Sequence, residues 1–220
     1  MIFTHRNSPE LQQKVEMLRE RILTDPVGVL DPESQHHQFA SLVNHGRKLD
    51  MDKIETGTEL FWQWVDTYSQ WMKEVYRGRR PDALVGIANG ANRLATTMAA
   101  TVGAIGLETY KKDSKTVGLT PAARAAIQYS GIRFVVLTED VGTTGGTTSS
   151  VVPELREIGV ERIEAAHTWI RNPMLKTLES ERIPYGAAIH EPLPTFSEED
   201  CRTLPEGFCN QGVLLIPHGQ

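Results

Sequence analysis

The stretch VVLTEDVGTTGGTTSS, residues 135–150, carries the strongest signal for both the fold and a ligand site. Four residues suited to a buried strand lead into two adjacent acids, and a run of Gly and Thr follows. Glycines let backbone N–H groups approach a ligand, threonines add hydroxyl donors, and the next helix would offer its positive N-terminal end. We therefore expect a phosphate-binding loop formed by Gly142, Thr143, Thr144, Gly145, Gly146 and Thr147.

The two acids before this loop, Glu139 and Asp140, would repel a phosphate placed beside them. We expect them to face another part of the same ligand, because carboxylates accept hydrogen bonds from sugar hydroxyls or hold hydrated Mg²⁺. A ligand with ribose hydroxyls at one end and a 5′-phosphate at the other fits this order. The loop has neither the lysine of a P-loop nor the spacing G-x-G-x-x-G. The structural alternative is a glycine-rich turn beside a fortuitous acid pair.

The composition is that of an ordinary globular protein, with 40% hydrophobic and 23% charged residues among 220. The formal net charge of −5 argues against a general nucleic-acid binder. No apolar run approaches the ~20 residues of a membrane span, and the first residues lack the pattern of a signal peptide. Two cysteines make no disulfide framework. We therefore expect a cytoplasmic protein without nucleic-acid or membrane partners.

Hydrophobic periodicity predicts helices over residues 8–23 and 58–75. The second has an apolar stripe, expected in the core or at a subunit contact, at Leu60, Trp64, Tyr68, Trp71 and Val75. Further on, ALVGIA, IGLETYKK, GIRFVVLTED and VERIEAAHTWI predict strands, and NGANRLATTMAATVGA predicts a helix. This alternation predicts an α/β fold with a mostly parallel, twisted sheet flanked by helices.

Two segments leave alternatives open. Residues 111–131 begin polar and contain Pro121, which predicts either a mobile lid or a surface excursion with a short helix at residues 121–128. Pro153 lies inside the helix expected to start near Thr147, so either the loop is longer or the helix bends at the proline.

The histidines and cysteines are weak candidates for a metal site. His36 and His37 are adjacent, so they do not share a face of a strand, and we expect a surface pair rather than metal ligands. Cys201 and Cys209 could form half of a shared metal site, but ordinary packing or exposed thiols is favoured. For His167, in a predicted strand, we expect a structural role, with a place near a base pocket as the alternative.

The segment VVLTEDVGTTGGTT closely resembles the phosphoribosyl-pyrophosphate signature of type I phosphoribosyltransferases. Within them the orotate phosphoribosyltransferases look nearest. The segment FASLVNHGRKLDMDKI at residues 39–54 is similar to their N-terminal region, and VGIANGANRLA at residues 85–95 to their pyrophosphate loop. KKDSKTVG resembles their lysine-bearing flexible loop, and TWIRNP the strand that ends in an orotate-binding arginine.

The resemblance implies a role for each matching residue. Glu139 and Asp140 would bind the ribose hydroxyls and Mg²⁺, with Asp140 the acid nearest the reacting centre, and residues 142–147 would hold the 5′-phosphate. Pyrophosphate would meet the backbone of Ala88, Asn89 and Gly90, and Lys111, Lys112 and Lys115 would close over it. The candidate catalytic residues are Asp140, Glu139, Lys111 and Lys115. Arg171 would face the base carboxylate.

The resemblance also implies one phosphoribosyltransferase domain over residues 1–220. It would comprise a helical and hood region at 1–75, an α/β core at 76–190 and a C-terminal extension at 191–220. A homodimer is implied because the family's flexible loop reaches into the neighbouring subunit.

The chain departs from the family pattern at several positions: Asn44, Arg93, Lys111, Val117 and Ile170. The resemblance implies transfer of the 5-phosphoribosyl group from phosphoribosyl pyrophosphate to a nitrogen base with release of pyrophosphate, and it favours orotate as the acceptor. Because of these departures, a purine or other base is the alternative. A non-catalytic sensor of phosphoribosyl pyrophosphate and another nucleotide or sugar-phosphate enzyme are further alternatives.

Overall fold

The computed structural model describes residues 7–26, 29–39 and 44–217. Its helices are α1 (Pro9–Thr24), α2 (Glu59–Val75), α3 (Gly90–Val102), α4 (Pro121–Ser130), α5 (Gly146–Ser149), α6 (Val152–Glu157), α7 (Lys176–Ser180) and α8 (Glu198–Thr203). Its strands are β1 (Gln35–Gln38), β2 (Asn44–Gly46), β3 (Ala83–Gly86), β4 (Ile105–Lys111), β5 (Val117–Leu119), β6 (Phe134–Gly142), β7 (Arg162–Ile170), β8 (Tyr185–His190), β9 (Thr195–Ser197) and β10 (Leu214–Ile216).

The main sheet has six strands in the order β5-β4-β3-β6-β7-β8. All neighbours pair in parallel except β4 and β5, which are antiparallel. A strand covered on both faces tends to read as a continuous apolar run, and β3 does so, with all of its residues buried. The predicted α/β fold with its mostly parallel sheet is confirmed. The sequence pattern had not indicated β5 and β8.

Helices α1 and α2 lie together beside one face of this sheet. Ser8 caps α1 by accepting a hydrogen bond from the backbone N–H of Leu11, as the predicted start required. The predicted apolar stripe of α2 is buried, and the Trp64 indole donates to Thr168 Oγ1 on β7 at 2.7 Å. This stripe therefore belongs to the core, as one of the two expectations had it.

A second, smaller sheet joins the two ends of the chain in the order β10-β1-β2-β9. We call this four-stranded sheet the hood sheet. Strand β10 pairs in parallel with β1, and β9 pairs antiparallel with β2, so residues of the predicted C-terminal extension complete the hood. The expectation of a helical N-terminal part did not include this sheet, because its strands are only three or four residues long.

The structure shows regular elements in both open segments. In residues 111–131, β4 and β5 form a hairpin and α4 begins at Pro121, which confirms the predicted short helix, while a mobile lid at the hairpin stays a prediction. The Asp113 carboxylate ties the hairpin turn by accepting from the N–H groups of Lys115 and Thr116. Pro153 lies in the first turn of α6, because the expected single helix is split into α5 and α6.

The expectation that His36 and His37 form a surface pair is wrong for His36. His36 is fully buried, because β1 turns alternate side chains to opposite faces and His36 points under the C-terminal segment. His37, on the other face, pairs with Asp31 at 3.0 Å. Cys201 is also fully buried, whereas Cys209 is half-buried.

Across the described residues, no helix combines the length and the apolar character that crossing a membrane requires.

Candidate active site

The two acids stand at the carboxyl end of the central strand β6, where ligands of open parallel sheets bind. Glu139 accepts hydrogen bonds from the hydroxyl of Thr148, on α5, and from His167 Nε2 at 3.2 Å, on β7. One oxygen of Asp140 accepts from the N–H of Val141 at 2.7 Å. Glu139 is therefore held by protein groups, whereas the second oxygen of Asp140 points elsewhere.

That second oxygen meets the start of α3. A Cβ added to Gly90 would lie 2.8 Å from Asp140 Oδ2 and would collide with Asp52 Oδ1, so both carboxylates approach the backbone there. Burial, then the negative charges of Glu139 and Asp52, raise the pKa of Asp140 to about 7. The site thus concentrates negative charge, and a cation placed there would be attracted.

The loop after β6 is held by hydrogen bonds from neighbouring segments to its carbonyl oxygens. The carbonyl oxygens of Gly142, Thr143 and Thr144 accept, in turn, from the N–H of Arg171, the amide of Asn172 and the N–H of Thr177. Gly145 caps α5 with φ +80°, a conformation that L side chains rarely adopt, and a Cβ there would lie 2.5 Å from Leu178. These contacts fix the loop and leave Thr143, Thr144, Gly146 and Thr147 on a pocket wall.

The second predicted loop follows β3. Ala88 donates its N–H to Thr109 Oγ1 at 2.9 Å, and that hydroxyl donates to the carbonyl of Gly86 at 2.8 Å. The Ala88–Asn89 peptide bond is cis, Asn89 is exposed, and Gly90 opens α3. The loop therefore lies beside Asp140, as its predicted role in binding a ligand of the same site requires.

The three lysines diverge. Lys115, in the hairpin turn, lines the pocket. Lys112 instead pairs with Glu154 at 3.5 Å, and the N–H of Leu119 also donates to that carboxylate. Lys111 is exposed at the end of β4. Of the three, the described contacts bring Lys115 to the pocket.

Arg171 follows β7 and is almost fully buried. Its guanidinium donates to Thr195 Oγ1 at 3.2 Å and lies 4.6 Å from the centroid of the Phe39 ring. Burial lowers its pKa to about 10, so it stays charged at neutral pH. In the part of the chain that the structure describes, no carboxylate forms an ion pair with Arg171.

Some of these elements line one pocket of about 460 Å³, a size that suits a small-molecule ligand. The loop after β6 forms one wall, and Arg171, Phe39 and Thr195 form another. Of the predicted site residues, Glu139, Asp140, Ala88, Asn89, Gly90, Lys111 and Lys112 are not among the residues that line it. Lys115 and Ser114 reach over from the hairpin turn. The arrangement places cationic groups and hydroxyl donors around the pocket and carboxylates beside it.

Sequence reasoning missed several residues of this site. Asp52 and Phe39 lie within the stretch that carried the resemblance, yet no local pattern marked either side chain. Thr148 stands one residue beyond the predicted loop, and Thr195 belongs to a strand that the pattern did not indicate. His167 lies beside Glu139 and has no partner on Nδ1 among the described residues, so the alternative of a position near the site is favoured.

A family model of the phosphoribosyl transferase domain matches residues 58–186, more than half of the chain. The chain belongs to the phosphoribosyl transferase family. It is therefore an enzyme of the glycosyltransferase type, and the resemblance of residues 135–148 to the type I signature is confirmed.

Known phosphoribosyltransferases resemble the chain beyond this match. Orotate phosphoribosyltransferase of Caldanaerobacter subterraneus subsp. tengcongensis is 25% identical over 70% of this chain and 74% of its own. The orotate phosphoribosyltransferase of Mycobacterium tuberculosis H37Rv, solved with phosphoribosyl pyrophosphate, superposes with a TM-score of 0.54. That match is 16% identical and covers 84% of this chain and 92% of the other.

An adenine phosphoribosyltransferase from Saccharomyces cerevisiae superposes equally well. Its TM-score is 0.57 at 15% identity, over 80% of this chain and 98% of the other. At such identities the superpositions show a shared fold, and they do not identify the acceptor base.

Proposed function

We propose that this phosphoribosyltransferase transfers the 5-phosphoribosyl group of phosphoribosyl pyrophosphate to orotate and releases pyrophosphate. The observation that carries the choice of orotate is the buried Arg171, which faces the pocket and has no ion-pair partner among the described residues. The charge of Asp31 opposes the lowering of the Arg171 pKa, but Asp31 pairs with His37 and Lys53 and forms no ion pair with Arg171 among the described residues. A buried cation that lacks a direct ion-pair partner is unfavourable, so an anionic base would stabilise it. The carboxylate of orotate supplies that charge, and neutral adenine does not.

The donor fits the other wall of the pocket. The loop of residues 142–147 would bind the 5′-phosphate through its backbone and hydroxyls, and Glu139 and Asp140 would accept hydrogen bonds from the ribose. Transfer breaks the bond between C1 and pyrophosphate oxygen and forms a bond from C1 to a base nitrogen. Positive charge develops on the ribose ring meanwhile, and the ionised Asp140 beside the ring would stabilise it.

The residues at the end of β6 fit a divalent cation. Burial, and then repulsion from the carboxylates of Glu139 and Asp52, raises the pKa of Asp140, so a cation would relieve that repulsion. Glu139 and Asp140 would hold Mg²⁺ together with oxygens of the donor. When bound, Mg²⁺ supplies charge neutralisation for the departing pyrophosphate.

The remaining groups act on the leaving group. The loop at Ala88, Asn89 and Gly90 would present its backbone to pyrophosphate, and Lys115, with Lys111, would offset its negative charge. Closing the hairpin over the pocket would exclude water, which otherwise hydrolyses the donor. We also propose a homodimer, as the family resemblance implies, in which the hairpin turn that lines its own pocket in the single chain would line the neighbouring subunit's pocket instead.

A panel of acceptor bases tests this function. Purified enzyme is incubated with phosphoribosyl pyrophosphate, Mg²⁺ and one base at a time, among them orotate, uracil, adenine and hypoxanthine, and released pyrophosphate is measured. We expect release with orotate and background rates with uracil, which has the same ring without the carboxylate. Pyrophosphate release with a purine would identify that purine, rather than orotate, as the acceptor. No release with any base, together with tight binding of phosphoribosyl pyrophosphate, would favour a non-catalytic sensor.

A further inference from the structure

Four side chains of the types that can bind a metal converge at the hood sheet, away from the pocket proposed for the transfer reaction. They are His36 on β1, His45 on β2, Cys201 on α8 and Cys209 in the turn before β10. One ligand atom from each lies within 4.8 Å of the other three. All are buried except Cys209, which is half-buried, and none lines the active-site pocket.

The spacing of these atoms is close to that of a metal's coordination tetrahedron. His36 Nε2 lies 3.3 Å from Cys209 Sγ and 3.8 Å from Cys201 Sγ, and His45 Nδ1 lies 3.4 Å from Cys209 Sγ. A tetrahedral Zn²⁺ with its usual bond lengths holds a sulfur and a nitrogen about 3.6 Å apart. The side chains are thus already placed so that a single ion could reach all four.

The donor types select the metal. Two thiolates and two imidazoles in a tetrahedral arrangement match Zn²⁺ and are unsuited to Mg²⁺ or Ca²⁺, which require oxygen ligands. Both imidazole rings are buried, and a neutral imidazole is the form that binds a metal. The two cysteines are free thiols, and the N–H of Cys209 points at Cys201 Sγ at 3.3 Å, a contact that would stabilise a thiolate.

We propose that His36, His45, Cys201 and Cys209 bind one Zn²⁺ ion that fastens the C-terminal segment to the hood sheet. Four protein ligands leave no open coordination position, so the ion is structural and takes no part in the transfer reaction. Each thiol gives up its proton as the S–Zn bond forms. The ion joins β1 and β2 to α8, and β2 in turn pairs with β9, which carries Thr195 beside Arg171.

Metal analysis of the full-length protein is the direct test. Protein purified without chelator is expected to hold about one Zn²⁺ per chain, and cobalt exchanged into metal-free protein is expected to show tetrahedral visible bands with a thiolate charge-transfer band. Cys209→Ser is expected to lose both the zinc and the charge-transfer intensity. His37→Gln is the matched control, since this neighbouring histidine faces Asp31 on the opposite side of the sheet, and it should keep both.

Measurements on the wild-type protein test the proposal even if Cys209→Ser does not fold. Zn²⁺ added to metal-free wild-type protein should raise its unfolding temperature and protect both thiols from a thiol reagent. Protein isolated without zinc, with no cobalt charge-transfer band and with thiols that react equally with and without Zn²⁺, would overturn the proposal. These readouts do not involve the acceptor base, so the failure of either proposal is distinguishable from that of the other.

Discussion

The pocket has two walls that are built in opposite ways. The wall proposed to hold the phosphate, called here the phosphate wall, comes from one contiguous stretch, residues 143–147, which runs from the end of the strand β6 into the start of the short helix α5. The base wall combines Phe39 after β1, Arg171 after β7 and Thr195 of β9, three positions spread over most of the sequence. The first wall is a local motif. The second wall forms only when β9 pairs with β2 in the hood sheet and thereby holds Thr195 beside Arg171.

This difference separates two kinds of recognition. The phosphate wall would bind largely through backbone groups, which every sequence possesses. The carbonyl oxygens of its loop accept hydrogen bonds from the backbone N–H groups of Arg171 and Thr177 and from the side-chain amide of Asn172. The base wall depends on one buried guanidinium. We therefore expect the donor site to be set mainly by backbone shape, and the choice of base to be set by few side chains. Variants in each wall test whether donor binding and the choice of base can be changed separately.

The largest expected effect concerns the acid beside the reacting centre. Asp140→Asn removes the charge that would stabilise the ribose ring, and the loss of one such contact costs about 3 kcal/mol, or roughly a hundredfold in kcat. Steady-state pyrophosphate release measures it, with circular dichroism to establish an intact fold. Asp66→Asn, an exposed acid of α2, is the control and should keep the wild-type rate. A rate near wild type for Asp140→Asn would remove this residue from the mechanism.

The next effect isolates the base wall. Arg171→Ala should raise the KM for orotate so that kcat/KM falls roughly a hundredfold, because a charge-assisted contact at a buried site is worth about 2–3 kcal/mol. The Kd for phosphoribosyl pyrophosphate, measured by calorimetry, should change little. Arg156→Ala, on the exposed surface of α6, is the control. Equal losses in donor and base binding would mean that the two walls are not separable.

The contrast between the walls also explains what the sequence could reveal. The strands β3, β4, β6 and β7, the helices α1, α2 and α3, and the acids with their loop all follow from local periodicity and turn chemistry. Position after a buried strand was enough to place Glu139 and Asp140 at the sheet edge.

Other features have no local signal. The hood strands are too short for a periodic pattern, and their pairing joins Asn44–Gly46 to Thr195–Ser197 across most of the chain. The burial of His36 depends on α8 and the turn before β10, which cover it from the far end of the sequence. Asp52 becomes visible as a neighbour of Asp140 only once the segment before α2 folds against α3.

A smaller effect distinguishes two lysines of one hairpin. Lys115 lines the pocket, so Lys115→Ala should slow pyrophosphate release about tenfold. Lys112 pairs with Glu154 outside the pocket lining, and Lys112→Ala should cost less than about threefold, since exposed ion pairs contribute little. The two variants remove the same charge three positions apart and so control for each other. A larger loss at Lys112 would show that the hairpin rearranges when the donor binds.

A separate effect, on stability rather than on rate, has the opposite sign to the effect on activity. The pKa of Asp140 is about 7 in the folded chain against an ordinary 3.8, so the folded state binds this proton more tightly than the unfolded state. Stability is therefore lost as the pH rises through that window, and Asp140→Asn has no such loss. Without Mg²⁺, we expect the variant to unfold at a higher temperature than wild type at about pH 8, with the gap closing towards about pH 4. Thermal melts of wild type and Asp140→Asn across this range measure the gap, with Asp66→Asn as the control. If the unfolding temperatures of wild type and Asp140→Asn changed in parallel with pH, the raised pKa of Asp140 would be contradicted. The crowding of charge that makes the site attract a cation would then be absent.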